Sequence, residues 1–187
     1  MLSLPKSRKV LFVNFLLTIL LIANIPIASA INLGLSNRKQ IMTNWCWAAC
    51  AQTIGWYYGN TSLTQANICN YVMGNTNNQT ANIYEAATAI QYAADVTTTI
   101  RYRALSESEV QQEINTDMEP FEIRIGWNGS LTNGHFIVCG GYSGGTLRIC
   151  NPLDANGTSY TYSYSDLVSG VDITGGYGRW THSTIIS

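Results

Sequence analysis

The sequence is poor in charge, poor in histidine and without repeats. Only 11% of its 187 residues are Asp, Glu, Lys or Arg. No basic cluster occurs after Lys9, so the electrostatic footprint of a nucleic-acid partner is missing. There are only two histidines, and the cysteines are scattered without the paired rhythm of zinc ligands. No metal and no cofactor is expected. The chain also lacks an internal repeat or a linker, which argues for one domain.

What the chain does have begins with an address. Lys6, Arg8 and Lys9 precede an apolar run that closes on Ala28-Ser29-Ala30. A basic start, roughly fifteen mostly apolar residues and a small-x-small end describe a secretory signal peptide. It spans residues 1–30, with cleavage expected after Ala30. Asn14, Asn24 and Pro26 interrupt a run already short for a membrane span. Membrane contact is therefore expected only through an uncleaved signal segment. The expected location is secreted, or periplasmic and otherwise extracytoplasmic. The segment carries three positive charges and no acid, so the remainder is more acidic than the whole chain's net −1. Residues 31–187 are enough for one domain with a real core.

Small and apolar residues at 46, 49, 50, 53, 54 and 57 recur at helical spacing. They predict a helix from Cys46 to about Tyr58, closed by Gly59-Asn60. A second helix is expected over 64–72, with Ser62 as N-cap and Gly74 as stop. Asn82-x-x-Glu85 is a capping-box pattern that opens a third, from Ile83 to about Ala93. Then the character changes. Strands are expected over 96–103, 121–127, 135–142, 146–150, 159–164 and 179–186. Between them lie a short helix from the Ser106-x-x-Glu109 box to about Asn115 and a loop over 128–134 with two Asn-Gly pairs. A glycine hairpin turn at Ser143-Gly144-Gly145 and a single helical turn at 165–169 complete the pattern. Helices first and strands afterwards argue an α+β domain.

The five cysteines are Cys46, Cys50, Cys69, Cys139 and Cys150. An odd count in an exported chain suggests two disulfides and one reactive thiol. Cys50 with Cys69 would staple the first two helices, and Cys139 with Cys150 would cross the hairpin arms. Cys46 remains as the reactive one.

Cys46 opens its helix, between Trp45 and Trp47, six residues after Gln40. Cysteine reacts as the thiolate, and a helix N-terminus favours negative charge through its unpaired N–H groups and its dipole. The Cys46 N–H and the Gln40 amide are candidate donors to an oxyanion. The segment Gln-x5-Cys-Trp-Ala-Ala resembles the oxyanion and nucleophile segment of papain-like cysteine peptidases. It is closer to their small bacterial branch, which includes the peptidase domains that cut double-glycine leaders and the plant-pathogen effector proteases.

Such a nucleophile needs a base. His135 stands at the mouth of a strand in Gly134-His135-Phe136-Ile137-Val138, whereas His182 sits inside a strand and reads as structural or exposed. Asn151-Pro152 follows the return strand of the hairpin, where it could orient the imidazole; Asp154 is the competitor. The run from Gly134 through Gly140-Gly141-Tyr142 to Asn151-Pro152 is similar to the His strand and the Asp-Pro or Asn-Pro segment of those bacterial peptidases. Thr43 stands where plant-type papains carry a second cysteine. Cys46 and His135 are also much closer in sequence than the roughly 130–150 residues seen in papain and the cathepsins.

The resemblance implies a papain-like fold, with N-terminal helices packed on a C-terminal antiparallel sheet. It also implies a secreted cysteine peptidase acting on a peptide or protein substrate through Cys46, His135, Asn151 and Gln40. Trp127, just before the Asn-Gly loop, is expected to line the cleft. Two rival classes share these residues: an acyltransferase on the same triad, and an inactive secreted binding protein on the same fold.

Overall fold

The computed structural model describes residues 30–187. The expected signal segment, residues 1–30, lies outside the described residues except for Ala30.

Three helices come first: α1 (Cys46–Tyr57), α2 (Gln65–Met73) and α3 (Ile83–Ala94). Asn82 and Glu85 close a reciprocal capping box on α3, as its sequence pattern requires. On α2 the cap is Thr64, exchanging bonds with Asn67, and not the expected Ser62. The residue three after Ser62 is Gln65, whose amide is instead engaged with Lys39 and Ile41. The alanine-rich faces of α1 and α3 pack together closely. A Cβ added at Gly55 would stand 2.7 Å from the Ala93 carbonyl oxygen.

Eight strands form one antiparallel sheet: β1 (Ile31–Asn32), β2 (Thr98–Arg101), β3 (Phe121–Trp127), β4 (Gly134–Ser143), β5 (Thr146–Cys150), β6 (Tyr160–Ser163), β7 (Val171–Ile173) and β8 (Gly176–Ile186). The order is β2-β8-β3-β4-β5-β6, with β1 added to β4 and β7 to β8. Gly144 and Gly145, both at positive φ, make the tight turn between β4 and β5. β1 and β7 are too short to show a period in sequence. The Ser106 box opens α4 (Glu107–Gln111), which runs on as a π-helical turn over Gln112–Thr116. A last short helix, α5 (Tyr164–Ser169), precedes β7.

Both faces of the sheet are covered. Phe136, Val138, Cys150 and Ile186 pack under α1, α2 and α3. Ile123, Ile125, Ile137, Cys139 and Trp180 pack on the other face with Val110, Ile114 and Leu167 from the later helical segments. The α+β order and the helices-on-sheet arrangement expected from sequence are both present. Among the described residues, no helix is long and apolar enough to cross a membrane.

The cysteine pairing is corrected. All five cysteines are free thiols. Cys150 lies opposite Val138, and Cys139 opposite Ile149. Because side chains alternate along a strand, this register sends Cys150 to the helix side and Cys139 to the far side. The sheet itself separates them. Cys50 points from α1 toward the sheet, where Glu122 and Cys150 act on its thiol, and it makes no bridge to Cys69 on α2.

The tight α1–α3 contact gives a prediction. Gly55→Val should destabilise the fold by about 2 kcal/mol, because the new methyl groups meet backbone that cannot give way. Urea denaturation checks this; an unchanged midpoint would show slack between the helices.

Candidate active site

The site is built at the start of α1. The helices α2, α3 and α4 each have a side-chain N-cap, but α1 has none. Its N-cap residue is Trp45, a donor that cannot accept. The Trp45 indole instead donates to the Asn77 carbonyl at 3.0 Å, and that of Trp47 to the Gln79 carbonyl at 3.2 Å. The two tryptophans flanking Cys46 thus anchor the helix start to the loop before α3. The first-turn donors are left to the nucleophile candidate. The backbone N–H groups of Phe136 on β4, of Trp47 and of Cys46 itself lie near the Cys46 sulfur and favour its thiolate.

Phe136 is the residue after His135, so the helix start rests on the start of β4. Gly134, which opens β4, packs tightly on β3: a Cβ there would stand 2.3 Å from the Ile125 carbonyl oxygen. His135 is buried at 5% exposure, and its ring stacks on Trp127 at 5.7 Å and 11°. Trp127, expected along the cleft, is therefore a wall that holds the imidazole flat.

The imidazole Nε2 lies 2.8 Å from Asn151 Oδ1. Two further bonds fix the Asn151 amide: its nitrogen donates to the Thr174 carbonyl at 3.0 Å, and its oxygen accepts from Leu153 N–H at 3.0 Å. An oxygen so placed only accepts, so Nε2 carries the proton and Nδ1 keeps its lone pair. Asp154, the competitor, touches His135 only through charge.

Gln40 is brought to the same end of the sheet. Its backbone N–H donates to the Pro152 carbonyl at 2.9 Å. Its side-chain nitrogen faces the carbonyls of Met42 (3.0 Å) and Thr43 (2.7 Å), within the loop that leads to Cys46. Three polar residues not singled out by sequence hold this loop. Gln65 accepts from Ile41 N–H at 2.9 Å and donates to the Lys39 carbonyl at 2.8 Å. Gln52 accepts from Gln65 at 3.0 Å. Asn37, fully buried, donates to the backbone oxygens of Asn151 (2.8 Å) and Ala155 (3.1 Å).

Two more residues escaped the sequence reading because strand alternation ordinarily puts polar side chains in water. Here both sheet faces are covered, and Glu122 and Arg124 of β3 are buried on the helix side, near Cys46. Burial pushes the Glu122 carboxyl up to about 8, against a hydrogen bond from Thr184. One of its oxygens, Oε1, has no partner. Burial raises the Cys46 thiol to about 11, opposed by the Phe136 N–H and reinforced by Glu122. Burial also lowers His135 to about 4, opposed by Asn151 and then Asp154. The same dryness that raises the thiol lowers the imidazole, which favours a neutral pair at rest over the preformed ion pair such a site suggests. No group of three or more His, Cys, Asp or Glu among the described residues is placed to hold a metal.

A family model described as the peptidase C39-like family matches residues 32–181. No curated protein matches the chain. Among solved structures, the peptidase domain of Streptococcus ComA, a bi-functional ABC transporter involved in a quorum-sensing pathway, is similar at 15% identity and a TM-score of 0.58. That likeness covers 82% of this chain and 98% of that one. A Bacillus anthracis protein described as a C39-like peptidase is similar at 11% identity and a TM-score of 0.55, over 85% of this chain and 98% of that one. At such identities the likeness shows the fold.

Glu122 supplies a signed prediction. Below about pH 8 its carboxyl is protonated, and Glu122→Gln should leave Cys46 alkylation by iodoacetamide almost unchanged. Above that pH the wild-type carboxylate opposes the thiolate, so the variant should react faster. Equal rate–pH profiles for the two proteins would contradict the coupling.

Proposed function

This chain belongs to the peptidase C39-like family of cysteine peptidases, and on that premise we propose that it hydrolyses peptide bonds through Cys46, His135 and Asn151. The observation that carries the reading is the single hydrogen-bonded end of the sheet: Asn151 sets the imidazole tautomer, and the residue after His135 touches the Cys46 thiol.

In this reading His135 Nδ1, the ring atom with the lone pair, removes the thiol proton as the sulfur attacks the peptide carbonyl. The sulfur–carbon bond forms and the carbonyl oxygen becomes an oxyanion. The N–H groups at the uncapped start of α1 are its nearest fixed donors. Gln40 joins them by giving up one of its two loop carbonyls. The carbon–nitrogen bond then breaks, and the imidazolium returns its proton to the leaving amine. Water, deprotonated by the same imidazole, releases the acyl group from the thioester. Asn151 holds the ring throughout and lowers the cost of its positive charge.

The substrate is a peptide or protein, as membership of a peptidase family implies. Export remains part of the proposal and rests on the N-terminal signature of Lys6, Arg8, Lys9 and Ala28-Ser29-Ala30.

Peptide turnover by the purified protein tests the assignment. Cys46→Ala should abolish it, and His135→Ala should lower kcat/KM by about 10²–10⁴. Asn151→Ala should cost about a hundredfold, as expected for lost orientation. Cys46→Ala retaining turnover would overturn the proposal.

A further inference from the structure

Beside the site lies a cavity of about 330 Å³, walled by Gly134 and Phe136 on one side and by Ala81, Asn82 and Ile83 at the start of α3 on the other. Its charged lining residue is Arg124, with His182 opposite it on β8. Gly134 and Phe136, the chain neighbours of His135, line the cavity, and the Phe136 N–H lies near the Cys46 thiol. Arg124 is also near enough to Cys46 for the two charges to interact, which places the cavity beside the nucleophile candidate.

Arg124 is an anomaly in energetic terms. It is only 7% exposed, and its Nη1 bonds neutral groups: the Ser130 carbonyl at 3.3 Å and the Thr181 hydroxyl at 3.0 Å. Among the described residues no carboxylate forms an ion pair with it; the pair that does form is Arg103 with Glu109. A buried guanidinium is costly unless a partner supplies the missing negative charge. Nη2 lies along the cavity wall, where a Cβ at Gly134 would come within 3.0 Å of it. Among the described residues, no acidic residue lines the cavity. Two acids on the elements that wall it are committed elsewhere. Glu85 accepts from the Asn82 N–H at 2.7 Å, and the buried Glu122 carboxyl is held protonated at neutral pH. The start of α3 adds the positive end of a helix dipole to the same wall.

We propose that this cavity is a specificity pocket for an acidic side chain, Asp or Glu, next to the scissile bond of the peptide substrate, with Arg124 as its charged partner. The inference rests on the peptidase reading and adds a substrate class to it. A carboxylate suits the site because a guanidinium offers paired donors in one plane. An amide of the same size lacks the charge and would leave Arg124 uncompensated.

The test uses the full-length protein and short synthetic peptides that carry Glu, Gln or Lys at each position in turn. At one position flanking the cleaved bond, kcat/KM for Glu should exceed that for Gln by about tenfold or more, with Lys poorer still. Arg124→Gln should collapse the Glu-to-Gln ratio toward one. Because Arg124 also braces Ser130 and Thr181, its loss could unfold the protein, but the wild-type ratio decides without any variant. Equal wild-type rates for Glu and Gln at every position would overturn the pocket. If no peptide is cleaved, the peptidase reading fails separately. The pocket is then judged on Cys46→Ala by affinity for the same peptides: about tenfold tighter binding of a Glu peptide supports it, and equal binding overturns it.

Discussion

Everything at this site depends on one contact, the start of α1 seated against the start of β4. The Phe136 N–H lies near the Cys46 sulfur and favours its thiolate, so the helix carrying the thiol and the strand carrying the imidazole meet within one residue. The contact has local causes. Trp45 cannot cap the helix, and the donors of its first turn are left near the sulfur. Trp45 and Trp47 pin the turn to the loop before α3. Asn37 and Gln65 then tie the lead-in chain to the Asn151 segment and to the loop that carries Gln40. Asn37, Gln65 and Asn151 each bond backbone as well, which fixes the site in one arrangement, although Asn37 Oδ1, Gln40 Oε1 and Glu122 Oε1 have no partner among the described residues.

Burial sets the chemistry as much as geometry does. It drives thiol and imidazole toward their neutral forms and leaves Glu122 protonated on the same sheet face. A base with a free lone pair and a protonated thiol can still react, because the proton moves as the sulfur attacks. Arg124 is the exception to this neutrality. It keeps its charge in a dry wall without a carboxylate, and the cavity beside it is where a substrate can bring one.

Much of this was legible in the chain. The capping patterns at Asn82 and Ser106 mark real helix starts, β3 runs over the residues its alternation indicates, and β5 over those that return from the glycine turn. The order of helices before strands carried the fold class, and the Cys46 and His135 segments carried the family resemblance. What stayed hidden required knowledge of neighbours. Cysteine spacing along a hairpin does not tell which sheet face each thiol takes, so Cys139 and Cys150 looked bridgeable although the sheet divides them. Glu122 and Arg124 drew no notice in sequence, because strand alternation ordinarily puts polar side chains in water, yet both are buried. Gln40 was recognisable by its distance from Cys46, but the turn of its amide toward Met42 and Thr43 is a property of the folded loop.

The central claim is that Cys46 forms a covalent bond with the substrate. The direct measurement is mass spectrometry of the full-length protein, quenched in acid during turnover of a peptide and digested for site mapping. An acyl group attached to Cys46 as a thioester, absent from Cys46→Ala, is the expected result. Product accumulating with an acyl group on another residue, or undiminished turnover in Cys46→Ala, would contradict it.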